Sequence, residues 1–169
     1  MKRIYFLKSA SLGILGITGS SLVFGQNSIQ EEPPQLDKAL VKEFVGASHG
    51  RIDRVKVLIK EHPTLLNAAY DWRAGDFETG LGAASHVGHK ELVKFFLNKG
   101  AQANIFTMAL FGQLNILKAM LEFNPLLLHA KGPHGYTLLH HAEQGGDEAI
   151  EVAEFLKSEG LKETIIRLY

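Results

Sequence analysis

Three groups of residues in the sequence have side chains that could take part in chemistry. The first is the segment 46–50, GASHG, which matches G-x-S-x-G, the turn that exposes a nucleophilic serine in many hydrolases. That turn follows a buried strand, whereas residues 37–45 have the pattern of a helix. We therefore expect Ser48 to lie in a turn between two helices and not to act as a nucleophile.

Histidines form the second group, and the chain has eight of them. A zinc-binding helix carries two histidines four residues apart on one face, with a glutamate between them. His86 and His89 are three residues apart and lie on either side of Gly88, which breaks the helix. The adjacent pair His140 and His141 does not complete a ligand set either. The sequence therefore predicts no metal site and no cofactor.

The third group is the segment 70–78, which combines aromatic and acidic side chains around Trp72, the only tryptophan. Aromatic residues on a protruding loop of a rigid scaffold are common anchors of protein recognition. Large aromatic side chains are also usually mostly buried, so the segment could instead fold down as a lid on the helices. The sequence leaves both interpretations open.

The elements that must position these side chains are pairs of helices separated by glycine. Gly50, Gly88, Gly112 and Gly146 each follow a short helix rich in small residues and precede a helix with an apolar stripe. One such pair is too small to bury its own apolar face, so the pairs must stack on one another. The unequal spacing of the glycines indicates that the connections between pairs differ in length.

The clearest pair is the stretch 79–104, TGLGAASHVGHKELVKFFLNKGAQAN, which resembles an ankyrin repeat. The pattern of that family is roughly T-P-L-H-x-A-A-x-x-G-H-x-E-V-V-K-L-L-L-x-x-G-A-x-x-N, and Gly80 and Gly82 replace its proline and histidine. The matching positions are Thr79, Leu81, Ala84, Gly88, His89, Glu91, Leu92, Val93, Lys94, Leu97, Gly100, Ala101 and Asn104. A second match is GYTLLH at 135–140, where Thr137 is placed to cap a helix.

The resemblance implies an all-α fold, an ankyrin-repeat solenoid of about four helix-turn-helix repeats. The repeats would cover residues 36–68, 79–104, 105–130 and 135–160, and residues 161–169 would form a C-terminal cap. Connections between repeats in this family are β-turn fingers. The first finger would be enlarged to hold residues 70–78, the finger after Asn104 would be missing, and residues 131–135 would form a plain turn.

The function that the resemblance implies is non-catalytic protein binding by a monomer. The candidate contact residues are Tyr70, Asp71, Trp72, Asp76, Phe77 and His86. The alternative is a small periplasmic enzyme or metal-binding protein that uses histidine and carboxylate side chains on the face of the repeats. Its acid and base groups would come from His140, His141 and Glu143, or from the acidic residues of 71–78.

The N-terminal residues have the composition of an export signal. Lys2, Arg3 and Lys8 accompany an apolar run rich in glycine and serine, and small residues precede Gln26. Residues 3–8, RIYFLK, are similar to the twin-arginine export consensus with Ile4 in place of its second arginine, so this route and the general secretory route both stay open. We expect residues 1–25 to be a cleaved signal, residues 26–35 a flexible linker, and residues 36–169 a domain that is periplasmic or secreted and not attached to the membrane.

Charge and cysteine content exclude several classes of function. The chain has 18 basic and 18 acidic residues, and removal of residues 1–25 leaves 15 basic and 18 acidic ones, a formal charge of −3. Nucleic-acid binding usually requires a basic patch, so we expect no nucleic-acid partner. The chain has no cysteine, which excludes disulfides, thiol catalysis and cysteine-based zinc sites.

Overall fold

The computed structural model describes residues 32–169, and this part of the chain consists mainly of four successive pairs of helices. The pairs are α1 (Lys38–Ala47) with α2 (Ile52–Glu61), α3 (Gly80–His86) with α4 (Lys90–Asn98), α5 (Ile105–Leu110) with α6 (Leu114–Phe123), and α7 (Leu138–Gln144) with α8 (Ile150–Ser158). The prediction of an all-α fold is confirmed. The predicted signal, residues 1–25, lies outside the described residues.

The first helix of each pair begins at a polar side chain that accepts a hydrogen bond from a backbone N–H in the first turn. Such caps satisfy N–H groups that have no partner within the helix. The capping residues are Asp37, Thr79, Asn104 and Thr137. The predicted cap at Thr137 is therefore confirmed, and its hydroxyl also donates to the carbonyl of Glu163 at 2.7 Å.

The core lies between the pairs because the first helices contact one another in chain order, α1 to α3 to α5 to α7. Small residues such as Ala47, Ala84 and Ala109 are fully buried on these helices, which lets the backbones approach closely. Two buried apolar clusters result, one in the first two pairs that also includes Leu110 of α5, and one in the last two pairs. Phe44 and Phe96 meet edge to face in the first cluster, with ring centroids 5.8 Å apart.

The connections between pairs differ, as the sequence predicts. The first contains an antiparallel hairpin of β1 (Ala69–Asp71) and β2 (Phe77–Thr79). The second, residues 99–104, contains no strand, and the third includes the short 3-10 turn Pro133–Gly135. The C-terminal tail packs back on that turn, because Ile166 N–H donates to the carbonyl of Gly135 at 2.8 Å. The tail thereby fixes the position of residue 134.

The segment GASHG covers the end of α1 and the turn that leads to α2, and it is not a nucleophile elbow. Ser48 is the C-cap of α1 and is fully buried, and its hydroxyl donates to the carbonyl of Phe44 at 2.8 Å. A serine that caps a helix from a buried position cannot be presented to a substrate. The structure thus agrees with the expectation that Ser48 is not a nucleophile.

The turn at Gly88 generates the first prediction. Gly88 has φ of +71°, and a Cβ added there would lie 3.2 Å from the backbone oxygen of Gln144 in α7. We expect Gly88→Val to lower the free energy of unfolding by about 1 to 3 kcal/mol because a β-branched residue is strained at positive φ. Gly50→Val is the control, since Gly50 has no positive φ and no neighbour within 4 Å of a Cβ. Equal melting temperatures for the two variants would contradict the prediction.

A second prediction concerns His141, which is buried in α7. Its Nδ1–H donates to the carbonyl of Thr137 at 2.8 Å, and its Nε2 has no partner among the described residues. Burial lowers the pKa of His141 from 6.5 to about 4. The unfolded chain therefore binds a proton more readily than the folded chain, so stability present above pH 6.5 is lost as the pH falls toward 4.

The loss attributable to His141 should be roughly 3 kcal/mol across that window. It can be measured as the difference in the pH dependence of urea unfolding between the wild type and His141→Gln. The variant should show the shallower dependence between pH 6.5 and 4. Parallel curves for the two proteins would mean that His141 is accessible to protons in the folded state.

Candidate metal centre

Four side chains from four separate segments converge beside the hairpin. They are His49 from the turn after α1, Glu78 from β2, His86 from the end of α3 and His134 from the turn before α7, and we call them the histidine cluster. One ligand atom from each lies within 4.8 Å of all the others. Imidazole nitrogens and carboxylate oxygens are common metal ligands.

The hairpin explains how Glu78 reaches the interior. Tyr70 pairs with Glu78 in the antiparallel register, and successive side chains of a strand point to opposite faces. Phe77 is accordingly 62% exposed, whereas Glu78 is fully buried. The contact between α1 and α3 then brings His49 beside His86, with ring centroids 5.0 Å apart.

The two carboxylate oxygens of Glu78 differ in their partners. Oε2 accepts a hydrogen bond from Trp72 Nε1 at 2.7 Å. Oε1 lies 2.9 Å from His86 Nε2, but no N–H is directed at it, so it accepts no hydrogen bond in the described part of the chain. A buried carboxylate is unfavourable unless a cation or hydrogen-bond donors compensate its charge. Oε1 of Glu78 therefore lacks the compensation that Oε2 receives from Trp72.

His134 is held in place by Asp76, a residue of the hairpin turn. Its backbone N–H donates to Asp76 Oδ1 at 2.8 Å, and its ring Nδ1–H donates to Oδ2 at 2.7 Å. The backbone of His134 has φ of +58°, which is uncommon for a residue other than glycine. Because a carboxylate can only accept, Nδ1 carries the hydrogen in neutral His134. The lone pair of Nε2 then faces the cluster, 3.5 Å from Glu78 Oε1.

His49 is oriented in the same way by a backbone carbonyl. Its Nδ1 lies 3.1 Å from the carbonyl oxygen of Val45 and must donate to it. The unprotonated Nε2 therefore points into the cluster, 3.1 Å from His86 Nε2 and 3.5 Å from Glu78 Oε2. In the neutral tautomers, two acceptor atoms, Glu78 Oε1 and His49 Nε2, thus lie 2.9 and 3.1 Å from the one ring nitrogen of His86 that faces the cluster.

The distances in the cluster are close to those around a bound ion. Four ligands at the 2.0–2.2 Å typical of zinc lie roughly 3.3 to 3.6 Å from one another in a tetrahedron. The four contacts given above, which involve both oxygens of Glu78, range from 2.9 to 3.5 Å, and all the ligand atoms lie within 4.8 Å of one another. Metal-bound histidines usually donate their second ring N–H to a carboxylate or a carbonyl. His134 and His49 both do so, to Asp76 and Val45.

A layer of aromatic rings supports the histidine cluster from the side of α7. Tyr136 stacks on His86 with ring centroids 4.9 Å apart and on His140 at 4.0 Å. His140 Nε2–H donates to the backbone carbonyl of His86 at 2.8 Å. Burial lowers the pKa of His140, which favours this neutral donor form. The position of His86 is therefore fixed by contacts to a different helix pair.

The residues that the sequence singled out as contacts of a protein have different environments. Asp76 and His86 are buried in or against the histidine cluster, and Trp72 is half-buried against Tyr70, at 4.9 Å between ring centroids. Phe77 and Asp71 are exposed. The hairpin thus packs through one side and presents the other to solvent.

The histidine cluster could not be recognised from the sequence because its four members are distant in the chain. Sequence reasoning correctly separated His86 from His89, whose Nδ1 accepts the N–H of Leu92 at the start of α4. His140 and His141 also lie outside the cluster. Nothing in the sequence around His49 or His134 indicated that they could bind a metal. For Glu78, the alternation with Phe77 along a short strand could have indicated that its carboxylate points into the protein.

Comparisons with models of known protein families and with curated proteins give no significant match to this chain. Across residues 32–169, no helix is both long enough and apolar enough to cross a membrane.

Proposed function

We propose that the protein binds a divalent transition-metal ion through His49, Glu78, His86 and His134. The observation that supports this proposal is the buried Oε1 of Glu78, which lacks a hydrogen-bond donor although ring nitrogens of His86 and His134 lie 2.9 and 3.5 Å from it. A metal ion would supply the missing positive charge. It would also bind the Nε2 lone pairs of His49 and His134.

The ligand types indicate which ions suit the site. Imidazole nitrogens suit zinc, copper, iron and nickel, whereas calcium and magnesium prefer sites made of oxygen ligands. Three imidazoles and one carboxylate therefore favour a first-row transition metal over an alkaline-earth ion. Asp76 and Trp72 would act in a supporting layer, since Asp76 orients His134 and Trp72 donates to Glu78.

A proton on one of the histidines is the competing explanation of the cluster. His86 with a proton on both nitrogens could balance the charge of Glu78 without any metal. A calorimetric titration of the purified, chelator-treated chain with Zn²⁺ distinguishes the two, and we expect one ion to bind per chain. The variants Glu78→Gln and His86→Ala should each weaken Zn²⁺ binding by about 100-fold or more.

The matched controls are His62→Ala and His129→Ala, which remove exposed histidines outside the cluster. Both should bind Zn²⁺ with unchanged affinity, and circular dichroism should show that all variants are folded. Absence of stoichiometric binding to the wild type would refute the metal proposal. Undiminished affinity in Glu78→Gln would refute the ligand assignment.

We further propose that the four helix pairs form an ankyrin-like stack and that the protein is exported. The fold proposal is supported by contacts between the first helices in chain order and by the positive φ of Gly88, Gly112 and Gly146 in the turns within three pairs. The export proposal rests on the sequence of residues 1–25. Because that route leads to the periplasm or beyond, metal binding would take place there.

Protein binding, the function that the resemblance implies, is the second candidate. One observation favours it, a row of exposed apolar side chains on and after α6. Ile116, Phe123 and Leu126 are 46%, 91% and 79% exposed, next to a groove of about 710 Å³. Apolar patches of this kind on a surface often mark an interaction site. They lie on a different element from the hairpin residues 70–78.

Capture of envelope proteins on the immobilised wild type and on Phe123→Asp tests this candidate. A stoichiometric partner that binds the wild type should be lost with Phe123→Asp, because a charge at the centre of an apolar contact is desolvated without a partner. Trp72→Ala and Phe77→Ala test the hairpin in the same experiment. If no variant alters capture, neither surface binds the partner. Sedimentation of the chain alone shows whether a second copy occupies the patch instead.

A further inference from the structure

A pocket of about 660 Å³ opens beside the histidine cluster, between the hairpin turn and the C-terminal tail. Its lining includes Trp72, Arg73 and Asp76 from the hairpin segment, His134 from the turn, and Ile165 and Arg167 from the tail. The volume is in the range of ordinary small-molecule sites. The tail is held against the turn by the bond from Ile166 to Gly135, so this wall is part of the fold.

The pocket reaches the cluster through shared residues. His134 is both a wall of the pocket and a member of the cluster, and Asp76 and Trp72 bind cluster members directly. The side chains of His134 and His49 are about one third exposed, at 30% and 31%, whereas His86 is 7% exposed and Glu78 is fully buried. The open side of the cluster is therefore the side of His134 and His49.

The charges around the pocket favour an anion. Arg73 and Arg167 both line the pocket, and neither guanidinium has a carboxylate within 4.0 Å in the part of the chain that the structure describes. Glu78 and Asp76 together balance a divalent ion, which leaves the two arginine charges uncompensated. A guanidinium matches the geometry of a carboxylate or a phosphate and can donate two parallel hydrogen bonds to it.

We propose that this pocket is the ligand-binding compartment of the metal centre. It takes a small molecule with a carboxylate or phosphate group, which Arg73 and Arg167 hold and direct at the ion beside His134. The proposal rests on the metal function proposed above. It adds the chemical class of the ligand and assigns the C-terminal tail a part in binding it.

Co²⁺ is a suitable probe because its visible absorption changes when a new ligand enters its coordination sphere. The chelator-treated full chain is loaded with Co²⁺ and titrated separately with inorganic phosphate and with acetate, which distinguishes the two sources of an oxyanion. We expect a saturable change in the absorption bands with at least one of them. In the double variant Arg73→Ala/Arg167→Ala, the apparent Kd of that anion should rise about tenfold or more.

The charge-matched control is Lys56→Ala/Lys60→Ala, which removes two exposed positive charges from α2 that do not line the pocket. It should bind the anion like the wild type, and both double variants should keep the Co²⁺ affinity of the wild type. Tight Co²⁺ binding with no response to either anion, or an equal response in the arginine variant, would overturn this inference and leave the metal site intact. Failure to bind Co²⁺ or Zn²⁺ at all would overturn both proposals.

Discussion

The buried carboxylate of Glu78 is the constraint on which the arrangement around the hairpin depends. A charge without access to water must be compensated locally, because its desolvation otherwise costs several kcal/mol. One oxygen receives the indole N–H of Trp72, and the other faces ring nitrogens of His86 and His134. The hairpin, α3 and the turn before α7 are therefore positioned around one side chain. The same requirement explains why residues with no sequence proximity meet here.

The sequence predicted the helices well because their signals are local. Thr137 caps the first turn of its helix, and Gly88 ends the helix that precedes it. Each could therefore be identified from a few neighbouring residues. Unequal connections were also predictable from the distance between Asn104 and the next apolar run. These features require no knowledge of which helix pair packs on which.

The histidine cluster could not be predicted in that way. His49 was noted only as part of the segment GASHG, and His134 lies in residues 131–135, which the sequence predicted to be a plain turn. Asp76 and Trp72 were candidate contacts of a protein partner, with a folded-down lid as the alternative for their segment, and the structure gives them hydrogen bonds to His134 and Glu78. Their roles depend on tertiary contacts between the hairpin and the turn before α7. The spacing of residues along the chain does not indicate such contacts.

The absence of a hairpin between α4 and α5 has a consequence for how the protein unfolds. In a linear stack, each helix pair contacts only its neighbours, so one end can fray without any effect on the other. Here the turn at 133–135 reaches past the short connection 99–104 and binds Asp76 in the first hairpin. The fourth pair is thus linked to a segment that is not next to it, and opening of that pair would also remove His134 from the histidine cluster. Fraying at the C-terminal end would therefore weaken the packing of the hairpin between the first two pairs, and not only that of the neighbouring third pair.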